Sequence, residues 1–273
     1  MKVKVYGCRG SAPTSRSPAS RFGGNTSCMS IEVANHTIML DAGSGLAQYD
    51  RLTSIFEWGS KEPLDILISH LHLDHLIGLS VFGPVWNPNA AVRIFSCLRG
   101  EGTLKEQIFG PFQPPYWPVS MVVAANAECI VIYDGVPFSI GKFTVTPFGA
   151  SHPDATLSYH ITDGEKTLVH LLDSETAMMD AEEYNLLVNY CKDADLVVFD
   201  AAYAPVDYPD KKGWGHSTIE DGFRLAQESN CKSMMFSHFS FEYSDQELEI
   251  LEAQAKRCGE QFFFARDGLE IIL

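Results

Sequence analysis

A cluster of side chains that commonly bind metal ions occupies residues 70–75, which read His-Leu-His-Leu-Asp-His. The residues just before it, 66–69, form an apolar run typical of a buried β-strand. If the chain stays extended past this strand, His70 and His72 fall on the same side, where two imidazoles can bind one ion. Burying three imidazoles and a carboxylate without a metal would leave polar groups in need of partners. The cluster therefore predicts a metal site at a strand end.

Two adjacent ions are expected, because Asp74 and His75 follow in the turn and point away from His70 and His72. Further ligands must then come from elsewhere. Among the other histidines, three stand at a predicted strand end or helix start, where active sites tend to lie, and these are His152, His216 and His238.

Asp41 ends another predicted strand and is a candidate acceptor for a hydrogen bond from a ligand imidazole. Turn formation with Gly43 is an equally good interpretation of the same residue.

The remaining pattern alternates short β-rich runs with turns, and a dozen predicted strands are enough for two sheets. The predicted strands are residues 3–6, 29–33, 38–41, 66–69, 92–97, 130–133, 143–147, 157–162, 167–173, 196–200, 232–237 and 262–266.

Three helices are predicted toward the end of the chain, at residues 181–191, 219–229 and 245–257. Ser217 with Glu220 predicts a capping box for the second helix, and Ser244 with Glu247 predicts one for the third. Helices that follow many strands are expected to pack outside the sheets.

Residues 98–120 differ in composition from the rest, with a short predicted helix at 103–108 and an aromatic, proline-rich stretch at 110–118. Three interpretations stay open for this loop: structural padding, a substrate lid and a dimer contact.

The formal net charge is −15, from 35 acidic and 20 basic side chains. Such a surface repels polyanions, which disfavours nucleic-acid polymers as partners. A small anion can still be drawn to a buried metal pair, because the charge of the ions dominates within the pocket.

Seven cysteines are scattered singly, which favours free thiols in a reducing cytoplasm. No apolar stretch approaches the roughly 18 to 20 residues of a membrane span. We therefore expect a cytoplasmic protein without a membrane partner.

The HxHxDH pattern formed by His70, His72, Asp74 and His75 resembles the signature of the metallo-β-lactamase superfamily. The resemblance runs over nearly the whole length. It implies one domain over residues 1–273, with the loop near 98–120 as an insertion. The implied fold is α/β (α+β), a four-layer αββα sandwich of two mixed β-sheets with helices outside.

The resemblance also implies a complete set of metal ligands, because residues 150–153, 171–175 and 236–240 resemble the superfamily's other ligand segments. One ion would be held by His70, His72, His152 and Asp173, and the other by Asp74, His75, His238 and the same Asp173. No cysteine occupies a ligand position, so two Zn²⁺ ions are expected, with Mn²⁺ or Fe as alternatives.

Within the superfamily, the chain is more similar to the phosphodiesterase branch than to the lactamases. That branch includes ribonuclease Z and the cyclic-phosphate phosphodiesterases. The stretches that carry this similarity are residues 7–13, 22–27, 194–201 and 213–218. The similarity implies that His216 donates a proton to the leaving group and that Asp200 orients it.

Two departures from the cyclic phosphodiesterases stand out. Residues 154–156 read Asp-Ala-Thr where glycines are common, and His238 is followed by Phe239 as in ribonuclease Z.

The predicted function is a metal-dependent hydrolase, a phosphodiesterase that cleaves a small linear or cyclic phosphodiester with a metal-bridged hydroxide. His216, Asp200 and Asp74 are its predicted catalytic residues. The alternative is an acyl-ester, lactone or thioester hydrolase; ribonuclease Z-like RNA processing and a non-catalytic metal-binding protein are less favoured. A homodimer is common among such proteins, and the aromatic loop could contribute to it.

Overall fold

The computed structural model describes residues 1–15, 21–34, 36–49 and 63–273. The strands are β1 (Lys2–Gly7), β2 (Arg9–Gly10), β3 (Cys28–Val33), β4 (His36–Leu40), β5 (Leu64–Leu67), β6 (Val92–Ser96), β7 (Glu128–Val131), β8 (Phe138–Ile140), β9 (Phe143–Gly149), β10 (Leu157–Thr162), β11 (Thr167–Leu171), β12 (Leu196–Asp200), β13 (Met234–Ser237), β14 (Phe239–Ser240), β15 (Phe262–Phe264) and β16 (Glu270–Ile272). The helices are α1 (Gly83–Trp86), α2 (Leu104–Phe109), α3 (Met121–Ala124), α4 (Ala181–Cys191), α5 (Ile219–Ser229) and α6 (Asp245–Cys258).

The strands form two seven-stranded mixed sheets and one short parallel pair, β14 with β2. The first sheet has the order β16-β1-β3-β4-β5-β6-β7, and β4 to β7 run parallel. The second has the order β15-β13-β12-β11-β10-β9-β8, and its parallel part consists of β11, β12, β13 and β15. The αββα sandwich predicted from the sequence is confirmed.

Central strands of the first sheet are buried on both faces, which explains their continuous apolar sequences. In β4, Ile38 and Leu40 belong to the core between the sheets, while Met39 faces the core under the outer helices. In β5, Leu67 lies between the sheets, and Ile66 faces the same outer core as Met39. The period of two in a pleated strand produces this division.

The long helices α4, α5 and α6 pack along the second sheet, where α5 contacts β12 and β13, and α6 contacts β15. The predicted capping box of α6 is present, with Ser244 and Glu247 in the two positions. That of α5 is shifted by one residue, because Thr218 and Asp221 form it in place of Ser217 and Glu220.

The shift at α5 has a tertiary cause. The Ser217 hydroxyl donates a hydrogen bond to the Ser174 carbonyl at 2.6 Å and accepts one from the Thr176 amide at 3.0 Å. These contacts tie the start of α5 to the end of β11 and leave Thr218 as the cap.

Residues 98–120 contain α2, which begins at a Thr103–Glu106 capping box close to the predicted position. In the proline-rich part, Phe112 packs edge-on against Trp117, while the Tyr116 side chain is 85% exposed. Padding, lid and dimer contact all stay open as roles for this segment.

All seven cysteines are free thiols. Within the described ranges, we find no helix with the length and apolar character that a bilayer crossing requires.

Parallel strands of both sheets end at the same edge of the sandwich. β4 is followed there by Asp41, and β5 leads into the histidine cluster. In the second sheet, β11 leads into Asp173, β12 ends at Asp200 and β13 leads into His238. The carboxyl ends of parallel strands are where ligands commonly bind in α/β sheets.

Candidate active site

One group of three imidazoles forms beside this edge. The possible ligand atoms of His70, His72 and His152 all lie within 4.8 Å of one another. The ring centroids of His70 and His72 are 4.4 Å apart, and those of His70 and His152 are 4.9 Å apart. His70 is buried, whereas 46% of the His72 side chain is exposed. These three side chains can hold one cation from a partly open face.

A second group consists of Asp74, His75 and His238, all of them buried. Asp74 Oδ2 lies 3.3 Å from His75 Nε2 and 3.4 Å from His238 Nε2. The two imidazole nitrogens are 3.2 Å apart. A second cation therefore has two nitrogens and one carboxylate oxygen directed at a common point.

Asp173 stands between the two groups and turns one oxygen to each. Its Oδ1 is 3.7 Å from His70 Nε2 and 4.0 Å from His152 Nε2. Its Oδ2 is 3.2 Å from His75 Nε2 and 3.3 Å from His238 Nε2. This is the arrangement required of a carboxylate that bridges two cations.

A pair of divalent cations fits these residues. His70 Nε2 and Asp173 Oδ2 are buried atoms that make no hydrogen bond, and leaving such atoms without a partner is costly. The donors are imidazole nitrogens and carboxylate oxygens, a set suited to zinc, manganese or iron.

Burial and charge give His70 and Asp173 the protonation states that metal binding needs. Burial lowers the pKa of His70 well below its ordinary value, with His75 contributing, so that this imidazole stays neutral. Burial alone would raise the pKa of Asp173, but His238, His75 and His70 outweigh it and hold that pKa well below its ordinary value. Asp173 is therefore a carboxylate. At His75 burial would lower the pKa, but the Asp173, Asp74 and Asp41 carboxylates outweigh it and raise that pKa well above its ordinary value, so this ring would have to release a proton when a cation binds.

Several non-glycine residues of the site occupy the left-handed backbone region. Asp41, Asp173 and His238 have φ values of 57°, 51° and 64°, and Ser11 has a φ of 63°. The Ser11 amide donates a hydrogen bond to Asp74 Oδ2 at 2.7 Å. Such conformations cost about 1–3 kcal/mol each and cluster at functional sites.

Asp41 fixes the orientation of His75. Its Oδ2 lies 2.9 Å from His75 Nδ1, which leaves Nε2 of that ring for the cluster. Asp41 Oδ1 also accepts a hydrogen bond from the Ser69 amide at 2.8 Å. Of the two interpretations of Asp41, the structure favours the acceptor for an imidazole, an interaction that raises ligand basicity.

His216 lies beside the cluster with its Nδ1 2.8 Å from Asp200 Oδ2. Both side chains are buried. Burial lowers the pKa of His216, but the Asp200 carboxylate outweighs it, and together with Asp173 it raises that pKa to about 9. The pair can act as a proton donor held in orientation by a carboxylate.

His216 also lies within reach of two further groups of potential metal ligands, one with His152 and Asp173 and one with Asp200 and His238. The geometry therefore accommodates His216 either as a proton donor or as a ligand. Metal content of a His216 variant separates the two.

The structure brings all the sequence-predicted site residues together at one edge of the sandwich. They are His70, His72, Asp74, His75, His152, Asp173, Asp200, His216 and His238. Their individual roles stay predictions.

Glu175 is an important residue that sequence reasoning missed. Its buried carboxylate accepts hydrogen bonds from Tyr208 Oη at 2.6 Å, from the Gly213 amide at 2.7 Å and from the Gly215 amide at 2.8 Å. It thereby ties the loop that carries His216 to the strand end that carries Asp173. A charged residue two positions after the predicted bridging aspartate was the available signal.

Asp154, which stands where glycines are common in the cyclic phosphodiesterases, is a second residue without a predicted role. Its Oδ2 lies 2.7 Å from His72 Nε2.

Gly215, in the loop that carries His216, lies against the His152 ring. A Cβ atom on Gly215 would come within 2.2 Å of His152 Cδ2, so only glycine fits at this position.

Known proteins share this architecture. The family model described as the beta-lactamase superfamily domain matches residues 36–239. Ribonuclease Z of Nitrosopumilus maritimus is 23% identical, and the match covers 99% of each chain.

Two solved structures are similar over nearly the whole chain. The metallo-β-lactamase fold protein YhfI from Bacillus subtilis has a TM-score of 0.70 and 19% identity, covering 99% of this chain and 98% of its own. A diphosphatase from the PhnP family has a TM-score of 0.69 and 15% identity, covering 100% of this chain and 97% of its own.

The family match spans the histidine cluster, Asp173, Asp200, His216 and His238, and the relatives agree with the predicted similarity to the branch that includes ribonuclease Z. With the two-sheet fold and the clustered histidines, these matches show that the chain belongs to the metallo-β-lactamase superfamily.

Proposed function

We propose that this protein is a dinuclear metal-dependent phosphodiesterase that hydrolyses a small linear or cyclic phosphodiester. The observation that carries the proposal is the His216–Asp200 pair at 2.8 Å, placed beside a cluster able to bind two cations. Hydrolysis of an ester of a poorly acidic alcohol needs a proton for the departing oxygen, and the pair is built to supply one.

The two groups divide the binding of cations between them. His70, His72 and His152 would hold one cation, Asp74, His75 and His238 would hold the other, and Asp173 would contact both. Two divalent cations, with Zn²⁺ as the expected metal, would activate water near neutral pH and neutralise charge on the phosphoryl oxygens. Asp41 would keep His75 in the orientation that this binding needs.

His216 would act on the leaving group. With Nδ1 held by Asp200, its other ring nitrogen is free to donate a proton to the leaving alkoxide. Glu175 holds the backbone on both sides of Trp214 and so keeps His216 in place. The positive charge of bound cations would lower the pKa of His216 from about 9 toward the working pH.

The similarity to proteins named ribonuclease Z supports phosphodiester chemistry and makes RNA the competing substrate class. We propose a small substrate because the net charge of −15 opposes the approach of a polyanion.

The test is a substrate panel with the metal-free protein reconstituted with Zn²⁺ or Mn²⁺. Bis-p-nitrophenyl phosphate and nucleoside 2′,3′-cyclic phosphates should be hydrolysed in a metal-dependent way, while a thioester, a lactone and a tRNA precursor should not be. Faster turnover of the thioester or lactone would replace the proposal with acyl-ester hydrolysis. Efficient cleavage of the tRNA precursor would replace the small substrate with RNA, and absence of any metal-dependent turnover would indicate a non-catalytic metal-binding protein.

A further inference from the structure

A cavity of about 470 Å³ adjoins the first group of metal-binding imidazoles. We call it the side pocket; the described residues of its wall lie within three segments, 97–98, 131–134 and 149–157. His152 belongs both to this wall and to the group that it forms with His70 and His72. A molecule bound at the cluster can therefore extend past His152 into the cavity.

The loop that carries His216 contributes no residue to the described wall of the side pocket. That loop meets His152 elsewhere, through Gly215, where an added Cβ atom would lie 2.2 Å from His152 Cδ2. The ring centroids of His152 and His216 are 5.8 Å apart. With His216 proposed beside the departing oxygen, the side pocket is left for the other ester group of a phosphodiester.

The charges of the wall oppose a second anion in the side pocket. Among its described residues, the acidic side chains are Asp134 and Asp154, and there is no lysine or arginine. Two carboxylates, in a protein with a net charge of −15, repel any further negative group of the substrate. The group that enters the side pocket is therefore expected to carry no negative charge.

Three polar side chains of the wall already have partners within the protein. Asp134 Oδ1 accepts a hydrogen bond from the Gly149 amide at 3.2 Å, and Asp154 Oδ2 lies 2.7 Å from His72 Nε2. The Thr156 hydroxyl donates a hydrogen bond to the Asp154 carbonyl at 3.0 Å. These contacts leave apolar contact as the main interaction that the described wall offers to a ligand.

Apolar side chains of the wall are open to water. Leu98 is 40% exposed and Tyr133 is 66% exposed, and both line the side pocket together with Val131 and Leu157. Covering such surface with an apolar group is favourable in proportion to the area removed from water. The Tyr133 ring can also pack against a ring of the ligand. The volume of the cavity falls within the range of about 300–1,000 Å³ that is usual for small-molecule sites.

We propose that the side pocket binds the non-leaving ester group of the substrate, and that this group is uncharged and mainly apolar, with room for an aromatic ring. This inference rests on the proposed phosphodiesterase activity and specifies its substrate class. It makes Tyr133 and Leu98 residues that determine specificity, because they contact the substrate away from the phosphorus atom that reacts.

The test uses phosphodiesters that share p-nitrophenolate as the leaving group and differ in the second ester group, which is methyl, benzyl, 2-carboxyethyl or 2-aminoethyl. The metal-reconstituted wild-type protein should favour the benzyl over the methyl substrate in kcat/KM by roughly tenfold or more, because the benzyl ring buries more apolar area. The anionic 2-carboxyethyl and cationic 2-aminoethyl substrates should both be poorer than the benzyl substrate.

Tyr133→Ser should reduce the preference for benzyl over methyl by roughly threefold or more, because apolar area is lost from the wall. Tyr133→Phe should keep the preference, because the ring makes the contact. Val136→Ser is the matched control, since Val136 is 53% exposed, donates its amide hydrogen bond to the Tyr133 carbonyl in the same turn, and does not belong to the described wall. The preference is a ratio measured on one protein sample, so a partly unfolded or metal-poor variant does not alter it.

A wild-type protein without a preference for the benzyl substrate would overturn the inference, and so would one that prefers the 2-carboxyethyl or 2-aminoethyl substrate to it. Equal preferences in Tyr133→Ser and Val136→Ser would separate the side pocket from substrate binding. A loss in Tyr133→Phe as large as that in Tyr133→Ser would assign the contact to the hydroxyl group and overturn the apolar character of the ligand.

The failure of the proposed function is separately visible, because wild-type protein would then leave all four substrates intact. In that event, calorimetric binding of benzyl phosphate against methyl phosphate to the metal-loaded protein decides the inference. Tighter binding of benzyl phosphate that Tyr133→Ser weakens supports it, and equal binding overturns it.

Discussion

Asp200 Oδ2 lies 2.8 Å from His216 Nδ1, and both side chains are buried beside the metal-binding cluster. Asp200 Oδ2 also lies 4.0 Å from His238 Nδ1. The carboxylate thus links the proposed proton donor to a ring of the second metal group. Within the pair, Asp200 sets both the orientation and the charge of His216.

His216→Ala should retain both metal ions and lose turnover mainly on esters with poor leaving groups. General acid catalysis typically contributes about 10²- to 10⁴-fold, and a leaving group such as p-nitrophenolate needs little of it. The measurement is kcat against leaving-group pKa, with metal content determined by elemental analysis. Equal losses across leaving groups would contradict the proton-donor role, and depleted metal would make His216 a ligand.

Asp173→Ala should bind fewer than two metal ions, because each oxygen of Asp173 faces one of the two groups. Elemental analysis after dialysis checks this. Asp163→Ala is the control, since Asp163 lies in the β10–β11 turn and makes its hydrogen bonds to local backbone amides. Metal content equal to that of the control would remove Asp173 from its bridging role.

The pH dependence of turnover on a poor leaving group should show an alkaline limb from His216. Burial lowers the pKa of His216, but Asp200 outweighs it and raises that pKa to about 9. A general acid works in its protonated form, so activity is present below the pKa of His216 and is lost as the pH rises through it.

Asp200→Asn removes the carboxylate that raises the pKa of His216, so the alkaline limb should move to lower pH by roughly 1 unit or more. The measurement is a pH–rate profile of both proteins under metal saturation. A limb that stays in place in Asp200→Asn, or persists in His216→Ala, would show that another group titrates.

Glu175→Gln should lower the kcat for poor leaving groups without reducing metal content. The carboxylate accepts three hydrogen bonds, and an amide cannot accept all of them, so one backbone donor of the His216 loop is left unpaired. We expect the free energy of unfolding to fall by about 1–3 kcal/mol.

Denaturant unfolding and leaving-group dependence test this positioning role together. Tyr208→Phe removes one of the three hydrogen bonds and should have a smaller effect on both measurements. If Glu175→Gln lost stability but kept the leaving-group dependence of wild-type protein, Glu175 would be structural alone.

The central strands and long helices could be predicted because their signals are local. β10 and β12, and helices α4 and α5, have the bounds expected from the sequence. The missed strands, β2, β8, β14 and β16, are two or three residues long, too short to display a period of two.

Several site residues follow strands that end at one edge of the sandwich, and this position made them candidates in the sequence. His70, Asp173 and His238 each follow a strand, and the strand ends are brought together by parallel pairing within each sheet. The assignment of Asp173 as a ligand, and the grouping of His152 with His70 and His72, depended on resemblance to a known family. A loop between β9 and β10 carries His152.

The sequence by itself determined which kinds of ligand atom the site offers. Residue types, and their positions at the end of a strand, can be read from a short segment such as the one that contains His70, His72 and Asp74. Only the tertiary structure decided that Ser217 is bound to Ser174 and Thr176 instead of capping α5. It alone also showed that Glu175 holds the His216 loop. Burial and hydrogen-bond partners arise when segments far apart in the chain meet, and no local pattern records which of them will.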